Sequence, residues 1–167
     1  MAADAIVTDM GKLKDLEPLA AQLNPSSDEL TKALEAIQQR LNELALGVEA
    51  WLDNTPDELA HEIDWPDPDN DSRRTWRSHE LGYGRHGDGW ALLVRTMDYP
   101  QFISGSGEWE FEADGSYELE RKPLLRSARA LRVEAVGRIP TLVDALRDKA
   151  EQVINAVEQA KKLARTL

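Results

Sequence analysis

A glycine-rich stretch, LGYGRHGDGW at residues 81–90, carries the spacing G-x-G-x-x-G through Gly82, Gly84 and Gly87. Backbone amides in such a stretch bind nucleotide phosphates when a strand precedes the glycines and a helix follows them. Here the following residues, WALLVRTM, indicate a second strand instead. The stretch is therefore predicted to be the turn of a β-hairpin and not a phosphate-binding loop.

Acidic residues and histidines offer no metal or catalytic set. Asp67, Asp69 and Asp71 alternate like the first ligands of a calcium-binding loop, but serines stand at the positions that need glycine and glutamate. The three histidines lack the i, i+4 spacing of a helical zinc pair, and no G-x-S-x-G nucleophile motif occurs. Since the chain also has no cysteine, we expect no enzymatic activity, no catalytic residue, no metal site and no cofactor.

A cluster of glutamates is the first candidate for binding a partner. The segment EWEFEADGSYELER alternates acidic with apolar residues and predicts a second hairpin. A three-residue loop with a left-handed Gly115 would pair Phe111 with Tyr117 and keep one face apolar. The other face is then either solvated or a docking surface for a basic partner, and it consists of Glu108, Glu110, Glu112, Glu118 and Glu120.

Two tryptophans lie in a polar segment where no core is evident. Trp65 and Trp76 belong to residues 53–79, which are rich in aspartate and proline and predict a polar loop. The two indoles either anchor this loop to the core or contact a partner protein.

Arginines are concentrated where the C-terminal helical segment begins. Arg126, Arg129 and Arg132 recur every three residues, so they spread around a helix as a broad basic patch. This patch would form salt bridges with the acidic segments of the chain or bind a small anionic ligand.

Heptad spacing predicts the helices that position these residues. Ser26 and Glu29 form a capping box, and apolar residues then repeat at intervals of four and three, which predicts a helix at residues 26–52. Residues 123–167 are predicted to be helical, with an interruption at Pro140 and a second heptad seam from Ile139 to Leu167.

The predicted fold class is α+β in a single domain of 167 residues. The N-terminal helix and the long kinked C-terminal helix pack antiparallel, with a four-stranded antiparallel β-meander at residues 80–122 between them. Residues 1–25 are expected to be weakly structured. In the first hairpin of the meander, Tyr83 is expected opposite Leu92.

Charge and the helical seams indicate the function class. A net charge of −11 disfavours direct binding to nucleic acid or to an anionic membrane, and we expect a cytoplasmic protein. The favoured function is a non-enzymatic, acidic interaction or scaffold module that binds a protein partner or forms a homodimer through its heptad helices. The alternatives are an inhibitor that mimics nucleic acid to bind a basic partner, and a binder of a small anionic ligand.

Overall fold

A computed structural model of the chain describes residues 2–52, 63–67, 70–113 and 115–165, with side chains for residues 18–52, 72–113 and 115–165. Two helices flank a curled half-barrel of antiparallel strands, which confirms the α+β class. The elements are α1 (Ala2–Leu44), β1 (Ala50–Trp51), β2 (Ile63–Asp67), β3 (Asn70–His86), β4 (Gly89–Ile103), β5 (Trp109–Phe111), β6 (Tyr117–Pro123), a 3-10 turn (Leu124–Arg126) and α2 (Arg129–Ala164).

The long hairpin of β3 and β4 is the centre of the sheet. β1 and β2 pair with the free edge of β3, and β5 and β6 pair with the free edge of β4. The predicted register of this hairpin is confirmed, since Tyr83 lies opposite Leu92 and Leu81 opposite Val94. Gly87 has a φ of 58° at the turn, a backbone conformation that glycine adopts without steric cost.

The predicted second hairpin is wrong. Phe111 on β5 lies opposite Gln101, and Tyr117 on β6 lies opposite Asp98, so both short strands pair with β4 in succession instead of with each other. The physical reason is the length of β4, whose 15 residues offer backbone donors and acceptors to both segments along one edge.

Much of the predicted polar loop at residues 53–79 is β-sheet. β2 begins at Ile63 and β3 at Asn70, while residues 53–62 and 68–69 lie outside the described residues. Polar cross-strand pairs stabilise this part of the sheet in place of apolar ones. Arg77, for example, donates from Nε and Nη2 to the two carboxylate oxygens of Asp98 at 2.7 and 2.8 Å.

The N-terminal helix is displaced from its predicted limits. α1 starts at Ala2, within the segment expected to be weakly structured, and it ends at Leu44, so Trp51 belongs to β1 and not to the helix. The capping box does not form, because Ser26 lies inside the helix and its hydroxyl donates to the carbonyl oxygen of Gln22 at 2.9 Å. α2 continues through Pro140 without a break in the helical assignment.

The core lies between the helices and one face of the sheet. Polar groups of α1 fix that helix to the sheet, since the Tyr83 hydroxyl donates to Asn42 Oδ1 at 2.6 Å and the Leu92 amide donates to Gln38 Oε1 at 2.9 Å. The buried apolar side chains of the core include Leu34, Leu41, Leu81, Leu92, Val94, Leu124, Leu131, Ala135, Ile139, Leu142 and Leu146.

Candidate interaction surfaces

The C-terminal half of α2 extends away from the core. Leu146 is only 1% exposed, whereas every residue from 151 to 165 is exposed. With a rise of about 1.5 Å per residue, the helix continues for roughly 27 Å beyond Leu146. We call residues 147–165 the α2 tail.

An apolar stripe runs along the α2 tail at heptad spacing. Its valines are half exposed, Val153 at 51% and Val157 at 46%, and Ile154 and Leu163 beside it are also exposed. Apolar surface that is contiguous and uncovered is typical of a protein interaction site. We call this surface the α2 stripe, and its residues are Ala150, Val153, Val157, Ala160 and Ala164.

The inner face of the curled sheet, which is the face turned away from the helices, is the second candidate surface. Trp51 on β1 and Arg121 on β6 come from opposite edges, which three strand spacings would separate by about 14 Å in a flat sheet. The Arg121 guanidinium carbon nevertheless lies 4.8 Å from the Trp51 ring centroid, and that of Arg95 on β4 lies 4.5 Å from it. These cation–π contacts join the two edges across the inner face.

Two of the glycines from the G-x-G-x-x-G stretch make room for this arrangement. A Cβ on Gly82 would lie 2.3 Å from Trp51 Cε3, and a Cβ on Gly84 would lie 2.8 Å from the carboxyl carbon of Glu49. Only Gly87 serves the turn itself. The other two are therefore required on the face of β3 where Trp51 and Glu49 lie against the strand.

Charged side chains on the inner face neutralise one another. The carboxylate of Glu80, which is 0% exposed, accepts hydrogen bonds from Arg95 Nε at 2.6 Å and from the Tyr99 hydroxyl. Arg121 donates from Nε and Nη2 to Glu118 at 3.0 and 2.9 Å. This hydrogen bonding lowers the pKa of the Glu118 carboxyl and raises the pKa of Arg121.

Glu49 and Ser78 are further polar side chains of the inner face. Glu49 Oε1 accepts from Trp51 Nε1 at 2.5 Å and from Arg121 Nη1 at 3.3 Å. Among the described residues, the buried hydroxyl of Ser78 has no hydrogen-bond partner. Since each of the two arginines has a carboxylate partner, the cluster joins the edges of the sheet and offers no uncompensated cation to an anionic ligand.

The five predicted carboxylates do not all share one face of the sheet. Glu118 lies opposite Met97, which is five positions from Phe102, the residue opposite Glu110, so Glu118 is on the other face of the sheet. Glu120 lies opposite Thr96 and shares the face of Glu110. Glu112 is 3.1 Å from Arg73, and Glu120 is 2.9 Å from Lys122. Glu108 and Glu110 are exposed, and Glu118 belongs to the inner-face cluster.

The two tryptophans of the predicted loop lie on strands. Trp76 on β3 is half-buried and makes an edge contact with Phe111, with ring centroids 6.3 Å apart. Tyr99 makes a similar contact with Phe111 at 6.2 Å. Trp65 lies opposite Thr75 in the β2–β3 ladder, and its side chain lies outside the described residues.

The three arginines of the predicted basic patch have different environments. Arg126 is exposed at the end of the 3-10 turn, and Arg129 is exposed where α2 begins. Arg132 is half-buried and donates from Nη1 to the Thr31 hydroxyl of α1 at 2.6 Å. One of the three therefore joins the two helices.

One feature of the sequence could have predicted the inner face, although it is not part of the hydrophobic periodicity. Gly82 and Gly84 alternate with Leu81 and Tyr83, which are core residues, so glycines occupy the opposite face of the strand. Glycine inside a strand marks a place where another group approaches the backbone closely. The sequence did not indicate that this group is Trp51.

The described residues contain no cluster of three or more metal-ligating side chains and no helix long and apolar enough to cross a membrane. No protein-family model, no curated protein and no solved structure matches the chain.

Proposed function

We propose that this protein is a non-enzymatic, acidic interaction module that forms a homodimer through the α2 stripe. The observation that most directly supports this proposal is the α2 tail, where the helix extends beyond the core and exposes valines at heptad spacing. A second helix laid along the stripe would remove these side chains from water, and full burial of a valine contributes about 1.5 to 3 kcal/mol.

A second copy of the chain is the partner that supplies a matching surface. Heptad stripes pair with heptad stripes through knobs-into-holes packing, and an identical chain always carries one. The exposed residues 18–26 of α1 do not cover the α2 stripe within one chain, because residues 151–165 are themselves exposed. Two-fold symmetric dimers are also the commonest homo-oligomers of soluble proteins.

Neither alternative function has comparable support. A nucleic-acid mimic needs its carboxylates on a common surface, but Glu118 lies on the other face of the sheet from Glu110 and Glu120. The carboxylates of Glu112 and Glu120 are also paired with Arg73 and Lys122.

A binder of a small anion would use Arg126, Arg129 and Arg132 together, but Arg132 donates to Thr31 of α1 while the other two are exposed. On the inner face, Arg95 and Arg121 are paired with carboxylates.

A matched pair of variants tests the proposal. Val153→Glu/Val157→Glu places two charges in the α2 stripe, and Gln152→Glu/Gln159→Glu places the same two charges on exposed positions outside it. We expect sedimentation velocity at micromolar concentration to find the stripe variant monomeric and the control variant dimeric. Both variants should have the same helical circular dichroism, which shows that the chain itself remains folded. A dimeric stripe variant, or a monomeric control, would contradict the proposal.

A further inference from the structure

We infer that the two copies pair antiparallel along their α2 tails, with the two-fold axis beside Asn155. This inference rests on the homodimer proposed above and adds its geometry. In this register Ala150 lies opposite Ala160 of the second copy, and Val153 lies opposite Val157 of the second copy. Ile154, just outside the stripe, meets its own counterpart near the axis and extends the apolar contact.

The position of the core excludes the parallel arrangement. Ile139 and Leu146 belong to the same heptad seam as the α2 stripe, yet they are buried, because the sheet and α1 cover that side of α2. In a parallel pair, the second copy's helix would have to continue along the seam into the space that the first copy's own core occupies. Protein interiors are close-packed and cannot accept a second helix there.

An antiparallel pair avoids this collision. The helix of the second copy runs towards the core of the first, and helix α2 ends at Ala164. In the proposed register, Ala160 of the second copy lies beside Ala150, and Ala164 of the second copy is level with Leu146, the last buried residue of the seam. The pairing thus uses the exposed length of the helix and stops at the edge of the core.

Charge favours the same orientation. Residues 144–151 carry three acids and two bases, whereas residues 158–165 carry one acid and three bases. Arg147 lies 3.2 Å from Asp144 and 3.6 Å from Asp148, so its own charge is compensated within the helix. An antiparallel pair places the net negative end of each tail beside the net positive end of the other, while a parallel pair places like charges together.

The arrangement gives the homodimer a defined shape. The Leu146 residues of the two copies are separated by 18 helical positions along the axis, or about 27 Å. The two cores lie at opposite ends of the paired helices, and the inner sheet face of each core does not contact those helices. A module of this shape holds two identical bodies apart at a fixed spacing.

Disulfide trapping tests the orientation, because the chain has no cysteine of its own. We would make Ala150→Cys, Ala160→Cys and the double variant, oxidise each full chain at micromolar concentration, and measure covalent dimer on a non-reducing gel. A disulfide forms only when the two Cα atoms approach within about 7 Å. We expect the double variant alone to form covalent dimer, with Gln152→Cys/Gln159→Cys remaining uncrosslinked as the control.

The other outcomes separate this inference from the proposed function. Covalent dimer from both single variants would show a parallel pair and overturn the antiparallel inference while leaving the homodimer intact. A sedimenting dimer that the double variant fails to trap would overturn the inference in favour of another contact between copies. A monomeric chain at the same concentration would overturn both.

Discussion

The indole of Trp51 occupies the space that a side chain at residue 82 would need, since a Cβ added to Gly82 would lie 2.3 Å from Trp51 Cε3. Because Arg95 and Arg121 contact the same indole from β4 and β6, the position of this ring determines how the inner face is closed. A glycine that sequence spacing associates with phosphate binding is therefore a packing requirement of the sheet.

Gly82→Ala is expected to destabilise the fold by about 1 to 3 kcal/mol, the usual cost of forcing a methyl group into occupied space. Gly89→Ala is the control, because a Cβ there meets no atom of the described part of the chain within 4 Å and its φ is not positive. Denaturant unfolding monitored by tryptophan fluorescence measures both free energies of unfolding. Equal stability of the two variants would show that Trp51 does not occupy this position.

Glu80→Ala is expected to lower the free energy of unfolding by about 3 to 5 kcal/mol, because it leaves the Arg95 guanidinium without its carboxylate partner on a largely buried face. The exposed pair of Arg40 and Glu43 provides the comparison, and Arg40→Ala should change stability by about 1 kcal/mol or less. The same denaturant measurements apply to both. A loss for Glu80→Ala as small as that for Arg40→Ala would mean that water reaches the Glu80 carboxylate in solution.

Tyr83 should make stability depend on alkaline pH. Burial raises the pKa of its hydroxyl above the ordinary value, whereas an unfolded tyrosine ionises near a pKa of about 10. The unfolded state therefore loses its proton first, so the contribution of Tyr83 is complete below about pH 10 and falls as pH rises further.

Tyr83→Phe isolates this contribution. At neutral pH the variant should lose about 0.5 to 1.5 kcal/mol, because the hydrogen bond to Asn42 is removed. Above about pH 10 the stability of the natural chain should fall more steeply than that of the variant. Parallel curves across the alkaline range would contradict the buried environment of the Tyr83 hydroxyl.

Local patterns in the sequence predicted the central hairpin well. Apolar residues alternate on both sides of the HGDG turn, and only one register keeps Leu81, Tyr83, Leu92 and Val94 on a common face. The α+β class follows from the same strands together with the helical periodicity at both ends of the chain.

Strand pairing between segments that are far apart in sequence could not be predicted from local patterns. Asp114-Gly115 has the composition of a hairpin turn, yet the free edge of β4 pairs with the strands on both sides of it. β3 begins well before its core residues Leu81 and Tyr83. The ion pair between Arg77 and Asp98 on β4 stabilises this first part of the strand. The inner-face cluster could not be predicted from local patterns either, since Trp51, Arg95 and Arg121 are far apart in sequence and come into contact only when the sheet curls.

The mass of the natural chain in solution tests the homodimer most directly. Sedimentation equilibrium over a dilution series should give twice the chain mass of 18.7 kDa at micromolar concentration and should approach 18.7 kDa as the dimer dissociates on dilution. A mass of 18.7 kDa at every concentration, micromolar included, would contradict the homodimer, because the α2 stripe would then remain exposed in solution.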